Sequence, residues 1–174
     1  PVAAPLVGTA EDTLRELLPL LDPTASSKHL DEMRAHYVKT RKKLDKLASP
    51  ASDARPIHPQ YLTRLIDERA TDDAIFIPDV GSPVVYAARY ITTTRDRRII
   101  GSFTHGSMAN GLPMGIGAQA AFPDRQVISL SGDGGLGMLM GELLTVRAHS
   151  LPVKIVVYNN SSLNFVELEM KADG

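Results

Sequence analysis

Two short polar motifs, Gly132-Asp133-Gly134 and Asn159-Asn160, offer oxygen atoms of the kind that hold a cation. Each follows an apolar run, and 24 residues separate them. Magnesium takes oxygen ligands, usually one or two from protein side chains, with substrate phosphates and water completing its shell. The spacing therefore predicts a site at which Asp133 and Asn160 share a magnesium ion that carries a diphosphate.

The same loop also satisfies the dinucleotide pattern G-x-G-x-x-G over residues 132–137. That pattern requires an Asp or Glu at the end of the next strand, where this chain has Asn159-Asn160. A carboxylate inside the loop would also repel a pyrophosphate unless a cation lay between them. A P-loop is excluded because no Gly-Lys-Ser/Thr follows. A plainer alternative is that Asp133 only caps the following helix.

The elements around these motifs alternate between apolar strands and helices after about residue 55. Such alternation predicts an α/β fold, a three-layer parallel sheet flanked by helices, which binds ligands at the carboxyl ends of its strands. A third polar cluster, Asp79-Val80-Gly81, falls at such an end. The predicted strands lie within 73–81, 97–103, 125–134 and 152–162, and the predicted helices within 58–70, 82–91, 107–122 and 135–150.

The first third of the chain has a different pattern of apolar residues, one that predicts helices without strands. Apolar residues at helical spacing predict a helix over 11–22, which Pro19 should end early, and a second helix over 27–49 with a basic end. The turn-rich stretch 49–56 marks the expected domain boundary.

Composition excludes several classes of protein. The net charge of −1 gives no electrostatic basis for binding nucleic acid, and the absence of cysteine excludes disulfides and thiolate metal sites. No apolar run approaches the roughly 18 residues of a membrane span, and the amino terminus does not resemble a signal peptide. We expect a cytoplasmic protein, and we expect the sequence to be a fragment of a longer one.

Longer stretches of the chain resemble a known family. The segments DAIFIPDVGSPVVYAARY, GSFTHGSMANGLPMGIGAQ, GDGGLGMLMGELLTV and LPVKIVVYNNSSLNFVELEMKADG are similar to the C-terminal, cofactor-binding domain of thiamin-diphosphate-dependent enzymes. Within these enzymes the chain most resembles the bacterial pyruvate oxidases, the quinone-dependent pyruvate dehydrogenases, through its LEMKA and HGSMAN segments. The resemblance implies a thiamin diphosphate and magnesium domain over 55–174, a connecting helix and linker over 26–54, and the end of an FAD-binding-like domain over 1–25.

The resemblance also implies roles for individual residues. Asp133, the side chain of Asn160 and the main-chain carbonyl of Ser162 would bind magnesium. Gly106 would offer its carbonyl to the aminopyrimidine ring, and Met108 would be the apolar wedge that bends the cofactor. The implied cofactor-binding residues are Gly81, Ser82, Gly106, Ser107, Met108, Asp133, Gly134, Gly135, Asn160, Ser161, Ser162, Leu163, Asn164, Phe165 and Val166.

The implied reaction is oxidative decarboxylation of pyruvate to acetate and CO2, with electrons passing through FAD to a quinone. Acetolactate synthase, which joins two keto acids, is the nearest alternative. In the resembled enzymes a Glu of the N-terminal domain of a neighbouring subunit bonds the pyrimidine ring, and no Glu in this chain has a matching context. We therefore expect no catalytic residue here, no turnover by this chain alone, a homo-oligomer, and membrane contact only through a C-terminal tail beyond this sequence. We also expect the 114–122 helix to be left partly uncovered and to favour self-association.

Overall fold

The computed structural model describes residues 3–22, 26–50 and 55–174, and the chain divides into two compact units, Pro1–Lys43 and Leu44–Gly174. In the first unit, helix α1 spans Ala10–Leu17. Thr9 is its N-cap, and Thr9 Oγ1 accepts a hydrogen bond from Asp12 N at 3.1 Å. A single 3-10 turn, Leu18–Leu20, follows and contains Pro19. The predicted early end of this helix at Pro19 is confirmed.

Helix α2 spans Lys28–Leu47, close to the predicted 27–49. The boundary between the two compact units falls inside this helix rather than in the turn-rich stretch. Within that stretch, residues 51–54 lie outside the described residues. The predicted domain boundaries at 25/26 and 54/55 stay predictions.

The second unit is built on a four-stranded sheet in which every pairing is parallel. Strands β1 (Ile75–Pro78), β2 (Arg98–Ile99), β3 (Val127–Gly132) and β4 (Lys154–Tyr158) lie in the order β2-β1-β3-β4. Pro78 is level with Leu130, and Gly132 is level with Tyr158. The residues that follow β1, β3 and β4 therefore emerge at one edge of the sheet.

Helices cover the two faces of this sheet, and each face has its own apolar core. On one face Phe76, Leu130 and Ala87 are buried, and Ile66 packs against them. On the other face Ile77, Val127 and Ala118 are buried. The helices are α3 (Pro59–Arg69), α4 (Ser82–Tyr90), α5 (Gly111–Ala121), α6 (Asp133–Met138), α7 (Leu143–Ala148) and α8 (Asn164–Asp173). The predicted three-layer α/β fold is confirmed.

Three details differ from the sequence-based expectations. The expected helix over 135–150 is broken at Leu139, whose φ of −127° and ψ of 28° are not helical, and a 3-10 turn separates α6 from α7. Residues 107–110 form a loop, so α5 begins only at Gly111. Helix α8, which no pattern predicted, closes the described chain. None of the described helices combines the length and hydropathy of a membrane span.

Candidate functional site

A cavity of about 710 Å³ opens at the carboxyl ends of β1, β3 and β4. Its walls come from the residues after these three strands, from the 106–108 loop and from the start of α8. All of the cofactor-binding residues implied by the resemblance line it except Ser107 and Ser161. The sheet topology therefore brings together residues that lie up to 85 positions apart, from Gly81 to Val166.

The turn after β3 holds Asp133 in a different role from a helix cap. Gly132 occupies the N-cap position of α6, and Asp133 is the first helical residue. The Asp133 carboxylate points across to the neighbouring strand end, where its Oδ2 accepts a hydrogen bond from Ser161 N at 2.9 Å. The alternative that Asp133 serves only as a helix cap is therefore wrong. The contact joins the Gly-Asp-Gly turn to the Asn-Asn turn.

The turn after β4 is ordered by its own side chains. Asn159 Oδ1 accepts from Ser161 N at 3.0 Å, and Asn160 Oδ1 accepts from Ser162 N at 3.1 Å. These side-chain-to-backbone bonds are Asx turns, which stabilise a tight loop without a helix or strand. Ser161 takes a φ of +55°, a left-handed conformation that non-glycine residues adopt only when the surroundings require it.

The donor set of these two turns suits magnesium. A carboxylate has about four lone-pair positions and an amide oxygen has two. The bond to Ser161 uses one oxygen of Asp133, and the bond to Ser162 uses one lone pair of Asn160, so both groups retain capacity for a cation. Among the described residues no cluster of three or more His, Cys, Asp or Glu side chains could hold a metal. One acid, one amide and phosphate oxygens are the ligands expected of a cation that is bound together with a diphosphate.

The loop before α5 approaches the Gly-Asp-Gly turn from the opposite wall. Gly106 has a φ of +72° and donates its N–H to Ser102 O at 2.8 Å. A methyl group added at Gly134 would lie 3.6 Å from Met108 Cε and 2.9 Å from Leu163 Cδ2. Met108 and Leu163 therefore lie close to the turn on which a diphosphate would lie. The role of Met108 as a wedge stays a prediction.

Sequence reasoning missed several residues at this site. Asp79, Tyr86, Tyr158 and Glu169 were assigned no role; Asp79 lies behind the cavity wall, and the other three line the cavity. The ring centres of Tyr86 and Tyr158 are 5.5 Å apart, and the Tyr158 hydroxyl lies 2.8 Å from Thr63 Oγ1. Burial raises the pKa of Tyr158 to about 12. The aromatic wall depends on packing between β4, α3 and α4, which no local sequence pattern reveals.

The fold and the site define a class of protein: a parallel α/β domain with a ligand-sized cavity at the carboxyl ends of its strands. Residues 79–174 match the family described as thiamine pyrophosphate enzyme, C-terminal TPP binding domain. The chain belongs to this family, whose cofactor is also called thiamin diphosphate. The match identifies the Gly-Asp-Gly loop as part of a thiamin-diphosphate domain rather than of a dinucleotide-binding module.

The relatives differ in name. The protein YdaP of Bacillus subtilis, described as thiamine pyrophosphate-containing, is 32% identical over 174 residues, which is 100% of this chain and 30% of the relative. The acetolactate synthase isozyme 3 large subunit of Escherichia coli is 31% identical over 164 residues, covering 94% of this chain and 29% of that protein. Acetolactate synthase 1 of Oryza sativa is 39% identical over 110 residues, 63% of this chain and 17% of that protein.

These comparisons support only the broader part of the resemblance drawn from the sequence. They support the family, but they do not single out pyruvate oxidase within it, because the relatives are named as acetolactate synthases and as a thiamine pyrophosphate-containing protein. The chain spans about 30% or less of the length of these relatives. FAD and quinone remain expectations that rest on the resemblance alone.

Proposed function

We propose that the protein containing this chain is a thiamin-diphosphate- and magnesium-dependent enzyme that decarboxylates pyruvate. One observation carries the proposal: Asp133 Oδ2 accepts a hydrogen bond from Ser161 N at 2.9 Å, which holds the Gly-Asp-Gly and Asn-Asn turns together at the sheet edge. Membership of the thiamine pyrophosphate enzyme family supports the same proposal.

In this function the residues of the chain would bind magnesium and thiamin diphosphate and orient the cofactor. Asp133, Asn160 and the Ser162 carbonyl would hold magnesium, and the residues after β1 and β3 would surround the diphosphate. Bound thiamin diphosphate would supply the electron sink for loss of CO2. Met108 and Leu163, which approach the turn at Gly134, would shape the apolar part of the cavity and exclude water from it.

Two reactions remain for the carbon fragment that decarboxylation leaves. The LEMKA and HGSMAN segments favour oxidation to acetate, with FAD and then a quinone taking the electrons. The relatives named acetolactate synthase favour joining it to a second keto acid. We place oxidation first on the residues and keep carboligation as the second candidate because of those names.

Two measurements on the full-length protein test the proposal. Calorimetric titration with thiamin diphosphate should show binding that requires magnesium, whereas NAD should not bind; magnesium-independent NAD binding would contradict the assignment. Incubation with pyruvate and a quinone should then give acetate, and acetolactate formed without any acceptor would select the second candidate. Failure to release CO2 from pyruvate would remove both.

A further inference from the structure

The carboxylate at the end of β1 has an environment that the functions above do not explain. Asp79 is only 1% exposed. Its Oδ1 accepts three hydrogen bonds, from Val80 N at 2.8 Å, Asn110 N at 3.1 Å and Asn110 Nδ2 at 3.0 Å. The first bond is local, but the other two reach the loop before α5, 31 residues away.

The second oxygen of this carboxylate has no partner among the described residues. It faces the Gly-Asp-Gly turn at close range, since a methyl group added at Gly135 would lie 2.0 Å from Asp79 Oδ2 and 3.0 Å from its Cγ. A buried polar atom without a hydrogen bond costs free energy and calls for an explanation beyond packing. Asp79 therefore fills the space behind Gly135, and only glycine fits at that position.

Asn110 extends the contact to the wall that carries Met108. Its Nδ2 donates both to Asp79 Oδ1 and to Ser107 O, the latter at 3.0 Å. Between Ser107 and Asn110 in the chain, Ala109 takes a φ of +66°. This value is unfavourable for a residue with a side chain and needs support from its surroundings. The bonds that Asn110 donates to Asp79 Oδ1 and to Ser107 O supply that support.

We propose that Asp79 is a positioning residue that fixes the 106–110 loop against the Gly-Asp-Gly turn, and so sets the distance between the two ends of the cofactor site. The inference rests on the proposed function, because the two ends matter only if the cavity holds thiamin diphosphate. One side of the carboxylate abuts Gly135, the residue directly after the Gly-Asp-Gly motif. The other side binds Asn110, which holds the segment where the resemblance places the pyrimidine contact and the wedge.

The contact itself can be tested on the full-length protein without cofactor. Gly135→Ala should lower the thermal midpoint, because the new methyl group collides with the Asp79 carboxylate. In an Asp79→Ala background both colliding atoms are gone, and the nearest remaining neighbour is Ala109 N at 3.6 Å, an ordinary contact. The double variant should therefore unfold close to the midpoint of Asp79→Ala alone. Additive losses would overturn the proposed contact.

The positioning role is tested by comparing two ligands. Thiamin diphosphate would contact both the strand-end turns and the 106–108 loop, whereas inorganic pyrophosphate with magnesium would contact only the strand-end turns. Asp79→Ala should weaken thiamin diphosphate by about tenfold, the size expected when a charge-assisted hydrogen bond that orders a loop is lost. Pyrophosphate should weaken by less than about threefold, which is under 1 kcal/mol.

Three further variants make the result decisive. Asn110→Ala removes the two Nδ2 bonds, to Asp79 Oδ1 and Ser107 O, but keeps the backbone bond from residue 110 to Asp79. It should reproduce the split between the two ligands with a smaller magnitude, which covers the case in which Asp79→Ala fails to fold. Asp79→Asn keeps an oxygen acceptor for Asn110 and should restore most of the affinity. Asp67→Asn, at a buried ion pair with Arg97 remote from the cavity lining, serves as the control for general destabilisation and should leave both affinities unchanged.

The outcomes separate this proposal from the proposed function. Equal weakening of both ligands by Asp79→Ala, or the same weakening in Asp67→Asn, would reduce Asp79 to a purely structural residue. If the wild-type protein binds pyrophosphate but not thiamin diphosphate, the proposed function fails. In that case the thermal midpoints still decide whether Asp79 contacts Gly135. Additive losses in the double variant with Gly135→Ala and Asp79→Ala would contradict the contact. A midpoint equal to that of Asp79→Ala alone would support it.

Discussion

At the scale of single residues, Asp133 links the two turns of the candidate site and is the acidic ligand of the proposed magnesium ion. It accepts the N–H of Ser161 and would bind magnesium with its remaining oxygen positions. We expect Asp133→Ala to lower the magnesium-dependent affinity for thiamin diphosphate by at least about tenfold, because a charge-assisted bond and a cation ligand are both lost. Calorimetry at two magnesium concentrations measures the effect.

Asp133→Asn is the matched control for this prediction. It retains an oxygen acceptor for Ser161 but removes the charge, so it should keep the thermal midpoint near that of the wild type and still bind the cofactor weakly. If Asp133→Asn bound thiamin diphosphate as tightly as the wild type at low magnesium, the cation would not depend on this carboxylate.

Asp79 leads to a prediction about pH. Burial raises its pKa above the ordinary value of 3.8, although hydrogen bonds from the backbone of Val80 and Asn110 oppose the shift. The folded state therefore holds a proton on this carboxyl at pH values where the unfolded chain has lost it. Stability should fall as pH rises from about 4 through the folded-state pKa and then become level. Asp79→Asn cannot titrate, so this contribution should disappear.

Thermal midpoints of the wild type and Asp79→Asn, measured from about pH 4 to pH 8, check this expectation. The advantage of the wild type over the variant should be largest at the acidic end and should shrink as pH rises. Two profiles that stay parallel over the whole range would show that the Asp79 carboxyl titrates at the same pH in the folded and unfolded states.

Some of these residues could be found from the sequence and others could not. Asp133 and Asn160 could be identified from the sequence because the carboxyl ends of parallel strands meet at one edge of a sheet. Two polar turns that follow neighbouring strands must therefore lie close together. Asp79 was seen as polar, but its burial depends on Gly135, which approaches it from 56 positions further along the chain. Its unpaired oxygen is a property of packing and has no signature in composition or spacing.

At the scale of elements, Arg97 connects the end of α3 with the start of β2. Its guanidinium group lies 2.9 Å from Asp67 Oδ1 and donates to the carbonyl oxygens of Asp67 and Ala70 at 2.8 and 2.9 Å. The side chain is 9% exposed, so the charge is almost fully desolvated. Several carbonyls at the end of α3, which have no partner within the helix, are satisfied by one side chain.

We expect Arg97→Ala to lower the free energy of unfolding by about 3 kcal/mol, because it removes the ion-pair partner of the half-buried Asp67 carboxylate and the hydrogen bonds to the Asp67 and Ala70 carbonyls. Arg97→Lys should recover only part of this loss, since an ammonium group cannot reach several acceptors with the planar geometry of a guanidinium. Urea unfolding of the three proteins measures both values. Full recovery by Lys would mean that charge alone matters at this position.

The elements themselves could be predicted where the pattern was long and regular. The strands and α2 to α4 agree with their apolar spacing. The break at Leu139 could not be read from the apolar pattern of 135–150, although Gly137 and Gly141 weaken the helix on either side of it. Helix α8 (Asn164–Asp173) follows the turn at 159–162, and no helix was predicted there from the sequence.

At the scale of the whole molecule, apolar surface is exposed both where it was expected and elsewhere. Within the 114–122 stretch Ala118 is buried against the sheet, but Phe122 is 48% exposed, so this stretch is partly uncovered as expected. Large apolar side chains are also exposed around α6 and α7, where Leu144 is 76% and Met138 is 62% exposed. Exposed apolar side chains of this kind suit a contact with another protein surface. The homo-oligomer stays a prediction.

The chain spans about 30% of the length of YdaP and of the Escherichia coli acetolactate synthase subunit. We expect the 174-residue chain to bind thiamin diphosphate with magnesium and yet release no CO2 from pyruvate above the level of free cofactor. The resemblance places the Glu that bonds the pyrimidine ring in another domain. Parallel assays of this chain and the full-length protein make the comparison, with calorimetry showing that the chain is folded and loaded. Clear turnover by the chain alone would place the missing carboxylate within it; Glu169, which lines the cavity, would be the first to replace by Gln.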